Sequence, residues 1–324
     1  MKILFIGGTG VISSACAEWC IANGHELVLL HRGKSFRAVP EGAKSLIADI
    51  NQPDAVADKL GNHTFDVIVD WIAFAPADVD RDIRLFRDRT AQYVFISSAS
   101  AYQKPLKQLP ITEETPLENP FWEYSQKKIA CEKRLFREHR ETGFPVTIVR
   151  PSHTYDRTMI PLRGGGTALQ RLLSGIPVIV QGDGTSLWTL THHRDFAKGF
   201  GGVLGENSAI GEAFHITSDE WLTWDRITEL MAEAAGVTPK LLHVPSHILE
   251  REIPEWQGSL LGDKAHSAIF DNSKIKRLAP DFSADIPFSE GAKEIVEWHT
   301  ANPARLTVDP QLDQKMDELV ARFS

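Results

Sequence analysis

The chain has 324 residues, 42% of them hydrophobic and 24% charged, the balance of a soluble globular protein long enough for one large domain or two unequal ones. A net charge of −8 with scattered basic residues argues against a nucleic-acid binder, which carries a basic excess or stripe. Three cysteines give no disulfide framework and no apolar run reaches the length of a membrane span, so a cytoplasmic protein without a membrane partner is expected.

Lys2 to Ile6 is a short apolar run that ends in Gly7-Gly8-Thr9-Gly10-Val11-Ile12-Ser13. An amphipathic segment from Ser14 to Asn23 stops at Gly24, and Glu26 to Leu30 is a second apolar run. Strand, glycine turn, helix and strand in this order form a unit that binds a dinucleotide. Gly7 permits the tight turn and Gly10 lets the backbone approach a pyrophosphate held by the helix N-terminus. Ser13 stands where the pattern has a third glycine, a position that needs only a small side chain.

The alternation continues. Lys44 to Ala48 reads as a strand ending in Asp49, Asp66 to Asp70 as another, Pro76 to Asp88 as a helix and Gln92 to Ser97 as a strand. A helix then runs from Phe121 towards Gly143, followed by a strand at Val146 to Val149. Continuous apolar strands between helices predict a doubly wound parallel α/β sheet of Rossmann type, covered on both faces. Ligands of such sheets lie at the carboxyl ends of the strands, where Asp49, Asp70, Ser97 and Ser98 fall. From about Pro151 the rhythm breaks, although Gly211 to Ser218 reads as a strand returning to the sheet. The expected division is a dinucleotide-binding domain over residues 1–160, with returning segments near 189–218, and a smaller substrate lobe mainly over 161–324.

Tyr124 and Lys128 stand four residues apart on the predicted helix and share a face. An ammonium beside a phenol favours the phenolate, which makes Tyr124 a candidate proton shuttle; an ordinary surface pair has the same spacing.

Gly7 and Gly10 after the first strand, Phe95-Ile96-Ser97-Ser98 after a later one, and Tyr124 with Lys128 on the next helix stand in an order that resembles the extended short-chain dehydrogenase/reductase family, the NAD-dependent epimerase/dehydratase group. Arg150 to Tyr155 and Gly182-Asp183-Gly184-Thr185 resemble further landmarks of it. The resemblance implies a catalytic Ser, Tyr, Lys group at Ser98, Tyr124 and Lys128. Ser98 would bond the reacting oxygen and Tyr124 would pass its proton. Lys128 would hold the ribose hydroxyls and lower the Tyr124 pKa. It further implies cofactor contacts at Gly7, Gly10, Val11, Ile12, His31, Arg32, Asp49, Ile50 and Lys128, and a substrate near Ser98, His153 and Trp188. Members of the family often form homodimers, and the apolar Ile129, Leu135 and Phe136 among the charges of the Phe121 to Arg140 helix permit a homodimer without requiring one.

Departures from the family pattern shape the expectation. NAD-binding members usually carry an acid after the second strand, where this chain has His31, Arg32, Gly33 and Lys34. An arginine suits a 2′-phosphate, so NADP is preferred over NAD. Ala99 and Ser100 replace the acidic pair of the 4,6-dehydratases, which argues against dehydration. Trp188 stands where sugar-nucleotide enzymes place a diphosphate-clamping arginine, and Arg163 or Arg194 are the possible replacements. His153 is a substrate contact, an auxiliary acid/base or a packed imidazole. Trp122 and Trp188 would form an aromatic wall for a sugar-like small-molecule substrate.

The expected activity is hydride transfer at a hydroxyl or carbonyl. The alternatives are an epimerase that recycles its NAD and, in another class, an RNA-binding protein on the same fold. The pairs His192-His193 and His243/His247 lack the partners and geometry of a metal centre, so no metal is expected.

Overall fold

The computed structural model describes residues 1–323. Seven parallel strands form the central sheet. Six are β1 (Lys2–Ile6), β2 (Glu26–His31), β3 (Lys44–Ile47), β4 (Phe65–Asp70), β5 (Thr90–Ile96) and β6 (Val146–Pro151), and the seventh is the returning Ala213–Ile216. Their spatial order is Ala213–Ile216, β6, β5, β4, β1, β2, β3. The order reverses between β1 and β4, and that is where a doubly wound sheet opens a crevice.

Alternation along each strand explains the two-sided cover. In β1, Ile3 and Phe5 enter one core with Cys16, Cys20, Phe196 and Phe200. Leu4 and Ile6 enter the opposite core with Val79, Ile83, Leu135 and Tyr93. Each of these apolar side chains contributes about 1.5–3 kcal/mol on full burial. The helices involved are α1 (Val11–Ala22), α2 (Pro53–Leu60), α3 (Pro76–Phe86), α4 (Glu123–Thr142) and the later helix His193–Gly201, which carries Phe196 and Phe200.

Two boundaries differ from expectation. Helix α1 begins at Val11 rather than Ser14, because Ser13 Oγ accepts from the Gly10 amide at 2.7 Å and secures the first turn. Strand β5 runs from Thr90 to Ile96, so Ser97 and Ser98 lie past its end.

The remaining chain builds three two-stranded ladders: His153–Tyr155 with Leu190–His192, Leu187–Trp188 with Leu222–Thr223, and Val178–Gln181 with Leu241–Val244. Leu169, Trp188, Trp224, Ile227, Phe288 and Ile295 share a core there. No helix among the described residues is long and apolar enough to cross a membrane. None of their His, Cys, Asp and Glu side chains form a group of three or more able to hold a metal ion.

Candidate active site

Two cavities open at the carboxyl edge of the sheet. The first, of about 440 Å³, is lined by Gly7, His31, Arg32, Lys34, Asp49 and Ile50 among others. Gly7 has φ +96°, in the left-handed region, and a Cβ there would meet the Ile72 side chain at 3.0 Å. The bare backbone therefore passes close beside the turn after β4, and the first amides of α1, from Val11 and Ile12, face the same edge. His31 accepts from the Gly33 amide at Nδ1 (3.1 Å), so its proton sits on Nε2, 3.1 Å from Ser45 Oγ. The exposed Arg32 and Lys34 have no carboxylate partner among the described residues. Asp49 accepts from the Asn51 amide at 3.0 Å. Such a cradle, with a glycine approach, a helix N-terminus and two free cations, fits a dinucleotide.

The second cavity, of about 380 Å³, brings Ser98, Tyr124, His153 and Trp188 together. Ser97 and Ser98 separate in role. Ser97 is buried and donates to Glu132, whose carboxylate is held by Arg150 Nη2 at 2.6 Å. Ser98 lines the cavity, accepts from the Ser100 amide at 3.2 Å and lies 2.9 Å from Ser100 Oγ. Ser125 Oγ donates to Ser100 Oγ at 2.8 Å and extends this hydroxyl chain into α4.

Lys128 is buried beneath Tyr124. Its Nζ donates to the carbonyls of Ala73 and Ile96, both at 2.7 Å, and packs 4.6 Å and 4.7 Å from the Phe74 and Phe95 ring centres. Two of three ammonium protons are thus used and one is left. Desolvation pulls its pKa down to about 8. Asp70 fixes one of those carbonyls in place, because its Oδ1 accepts from the amides of Ile72 (2.6 Å) and Ala73 (2.8 Å).

The expected lowering of the Tyr124 pKa by Lys128 is not what the protein shows. Burial raises the phenol, Ser98 opposes the rise, and nearby Asp263 adds to it. Lys128, 6.0 Å from the phenol ring centre and bonded to the two carbonyls, does not outweigh the burial of the neutral phenol.

His153 accepts from Trp188 Nε1 at 3.0 Å. Indole nitrogen only donates, so His153 carries its proton on Nε2. Burial, then Lys264 and Arg163, hold its pKa well below the usual histidine value, and it is a neutral donor.

Three residues of this cavity carry no sequence signal: Lys104, Asp263 and Lys264. The segment Leu260–Lys264 is a single π-helical turn. Gly262 lies so close to Trp122 that a Cβ would come within 2.7 Å of it. Asn119 Nδ2 donates to both Ser100 O (2.8 Å) and Gly262 O (2.7 Å), tying the Ser98 loop to that turn. The pairing of a loop with a turn so distant in sequence leaves no periodic trace.

Comparison with known proteins bears on the fold and the family. The model of the NAD dependent epimerase/dehydratase family matches residues 3–217. The 2′-dehydrokanamycin reductase of Streptomyces kanamyceticus is 26% identical over 335 residues, covering all of this chain and 91% of that one. The chloroplast stem-loop binding protein of 41 kDa b from Arabidopsis thaliana is 27% identical over 75% of this chain and 65% of its own length. The structure of dTDP-glucose 4,6-dehydratase from Bacillus anthracis in complex with NAD superposes with a TM-score of 0.74 at 20% identity, over 94% of this chain and 98% of that one. With its glycine turn, its sheet order and most of its length within the match, the chain belongs to the NAD dependent epimerase/dehydratase family.

Proposed function

We propose that the protein is an NAD(P)-dependent oxidoreductase that transfers hydride at a hydroxyl or carbonyl of a small, carbohydrate-like substrate. The observation that carries this reading is the meeting of Ser98 and Tyr124 in one cavity, with Lys128 directly beneath. A bound nicotinamide supplies the hydride donor or acceptor. The protein's own residues do the rest. Ser98 donates its hydroxyl to the reacting oxygen. Tyr124 takes the alcohol proton during oxidation and returns it during reduction. The remaining Lys128 proton is available to a ribose hydroxyl, and the ammonium stabilises the phenolate that Tyr124 becomes. Trp188 and Trp122 shape the cavity against a partly apolar ring.

Reduction is favoured over cofactor-recycling epimerisation by the relative that aligns over the whole chain, which is named a reductase. Ala99 and Ser100 offer no carboxylate for water loss. NADP is preferred over NAD, a choice supported by Arg32 and Lys34 at the rim where the adenosine ribose would lie. Purified protein mixed with NADPH or NADH should enhance coenzyme fluorescence on binding, NADPH more tightly. Absence of binding by either removes the reading, and activity without added coenzyme converts it to the epimerase.

A further inference from the structure

The substrate cavity carries more positive charge than its own acids match. Lys104, whose side chain is 1% exposed, and Lys264, 17% exposed, flank Asp263 at 4.0 Å and 3.8 Å, too far for hydrogen bonds. Neither ammonium donates a hydrogen bond to any of the described residues, and Asp263 is the one acid among the residues that line the cavity. Arg163, which does not line the cavity, is near enough for its charge to act on Asp263 and Lys264. Its Nη1 donates to Ser259 Oγ at 3.0 Å and its guanidinium packs 5.4 Å from the Trp256 ring centre. Its Nε and Nη2 are buried without a partner. Three cations therefore surround one carboxylate in a desolvated site, an arrangement that costs free energy unless an anion completes it.

The surrounding groups point the same way. His153, neutral and protonated at Nε2, adds a donor and no charge. Lys264 packs 5.4 Å from the Trp188 ring centre, which fixes the ammonium against the cavity wall. The Asn119 bridge and the Gly262 contact hold the lysine-bearing turn at a set distance from Ser98.

We propose that Lys104 and Lys264, with His153 as a neutral donor, bind a carboxylate or phosphate group on the substrate, while Ser98 and Tyr124 face its hydroxyl or carbonyl. The substrate class is thus a hydroxy or keto compound of monosaccharide size with one anionic end. This rests on the reading of that cavity as the substrate site.

Calorimetric titration of the NADPH-saturated protein with inorganic phosphate and with acetate, at constant ionic strength, tests it. Saturation with NADPH fills the pyrophosphate cradle, so anion binding there does not contribute. Both probes should bind in the millimolar range, at least about tenfold more weakly to Lys264→Gln and to Lys104→Gln, with binding recovered in Lys264→Arg. The tighter of the two probes identifies the anionic group. Glucosamine, a cation of similar size, should bind more weakly than glucose 6-phosphate or gluconate. Equal anion affinity of the wild type and Lys264→Gln overturns the proposal, as does a preference for glucosamine. Failure of NADPH to bind would instead strike the cofactor reading, and the wild-type to Lys264→Gln comparison would still decide the anion site.

Discussion

Ser97 donates its hydroxyl to Glu132 while its neighbour Ser98 lines the cavity that also holds Tyr124, so adjacent and identical side chains face different surroundings. The consequence is a clean separation by mutation. Ser97→Ala removes a donor from a buried carboxylate and should cost about 1–3 kcal/mol in urea unfolding, with little change in turnover per folded molecule. Ser98→Ala should leave the unfolding midpoint nearly in place and lower turnover by about 10²-fold or more. Reversal of this pattern would reassign the catalytic hydroxyl.

Tyr124→Phe keeps the ring that packs 4.9 Å from Trp122 and deletes only the phenol oxygen. Turnover should fall by about 10²–10⁴-fold with coenzyme affinity almost unchanged. Measurable turnover within a fewfold of wild type would show that the proton leaves by another group.

Lys128 sets a pH limit. Its pKa is lowered from 10.5 to about 8 by burial, so the ammonium is charged below that value and neutral above it. Ribose hydroxyls and a phenolate both favour the charged form, which raises the lysine pKa on binding. Coenzyme affinity should accordingly weaken as pH rises past about 8, in a titration from pH 6.5 to 9.5 followed by coenzyme fluorescence. A flat profile would mean that the ammonium does not touch the coenzyme.

The proposed preference for NADP is tested at Arg32. Arg32→Ala removes an unpaired guanidinium from the cavity rim and should lower NADPH affinity by about tenfold while changing NADH affinity little. Parallel losses for both coenzymes would place Arg32 on a group that they share.

The fold was legible wherever burial is two-sided. A parallel strand covered by helices must be apolar throughout, so Lys2–Ile6 and Phe65–Asp70 declare themselves in a single chain, and the glycine turn after the first fixes which edge is functional. Helix α1 was read three residues short because the capping role of Ser13 depends on geometry rather than hydropathy. Ordered motifs singled out Ser98, Tyr124 and Lys128, and the structure brings the first two into one cavity with the lysine buried beneath. The Tyr124 pKa was misjudged, since helical spacing reports that two residues share a face and says nothing of the carbonyls that claim the lysine. Lys104 and Lys264 were invisible for a related reason. A lysine acquires meaning from its neighbours, and theirs arrive from remote parts of the chain through one π-helical turn and one asparagine.

Lys128 also fastens the protein together. By joining the carbonyl of Ala73, just past β4, to that of Ile96, at the tip of β5, a single amine closes the seam between two neighbouring strands. Removing the amine would leave both carbonyls buried without their donor, so the same side chain that serves the cavity also secures the sheet edge beneath it.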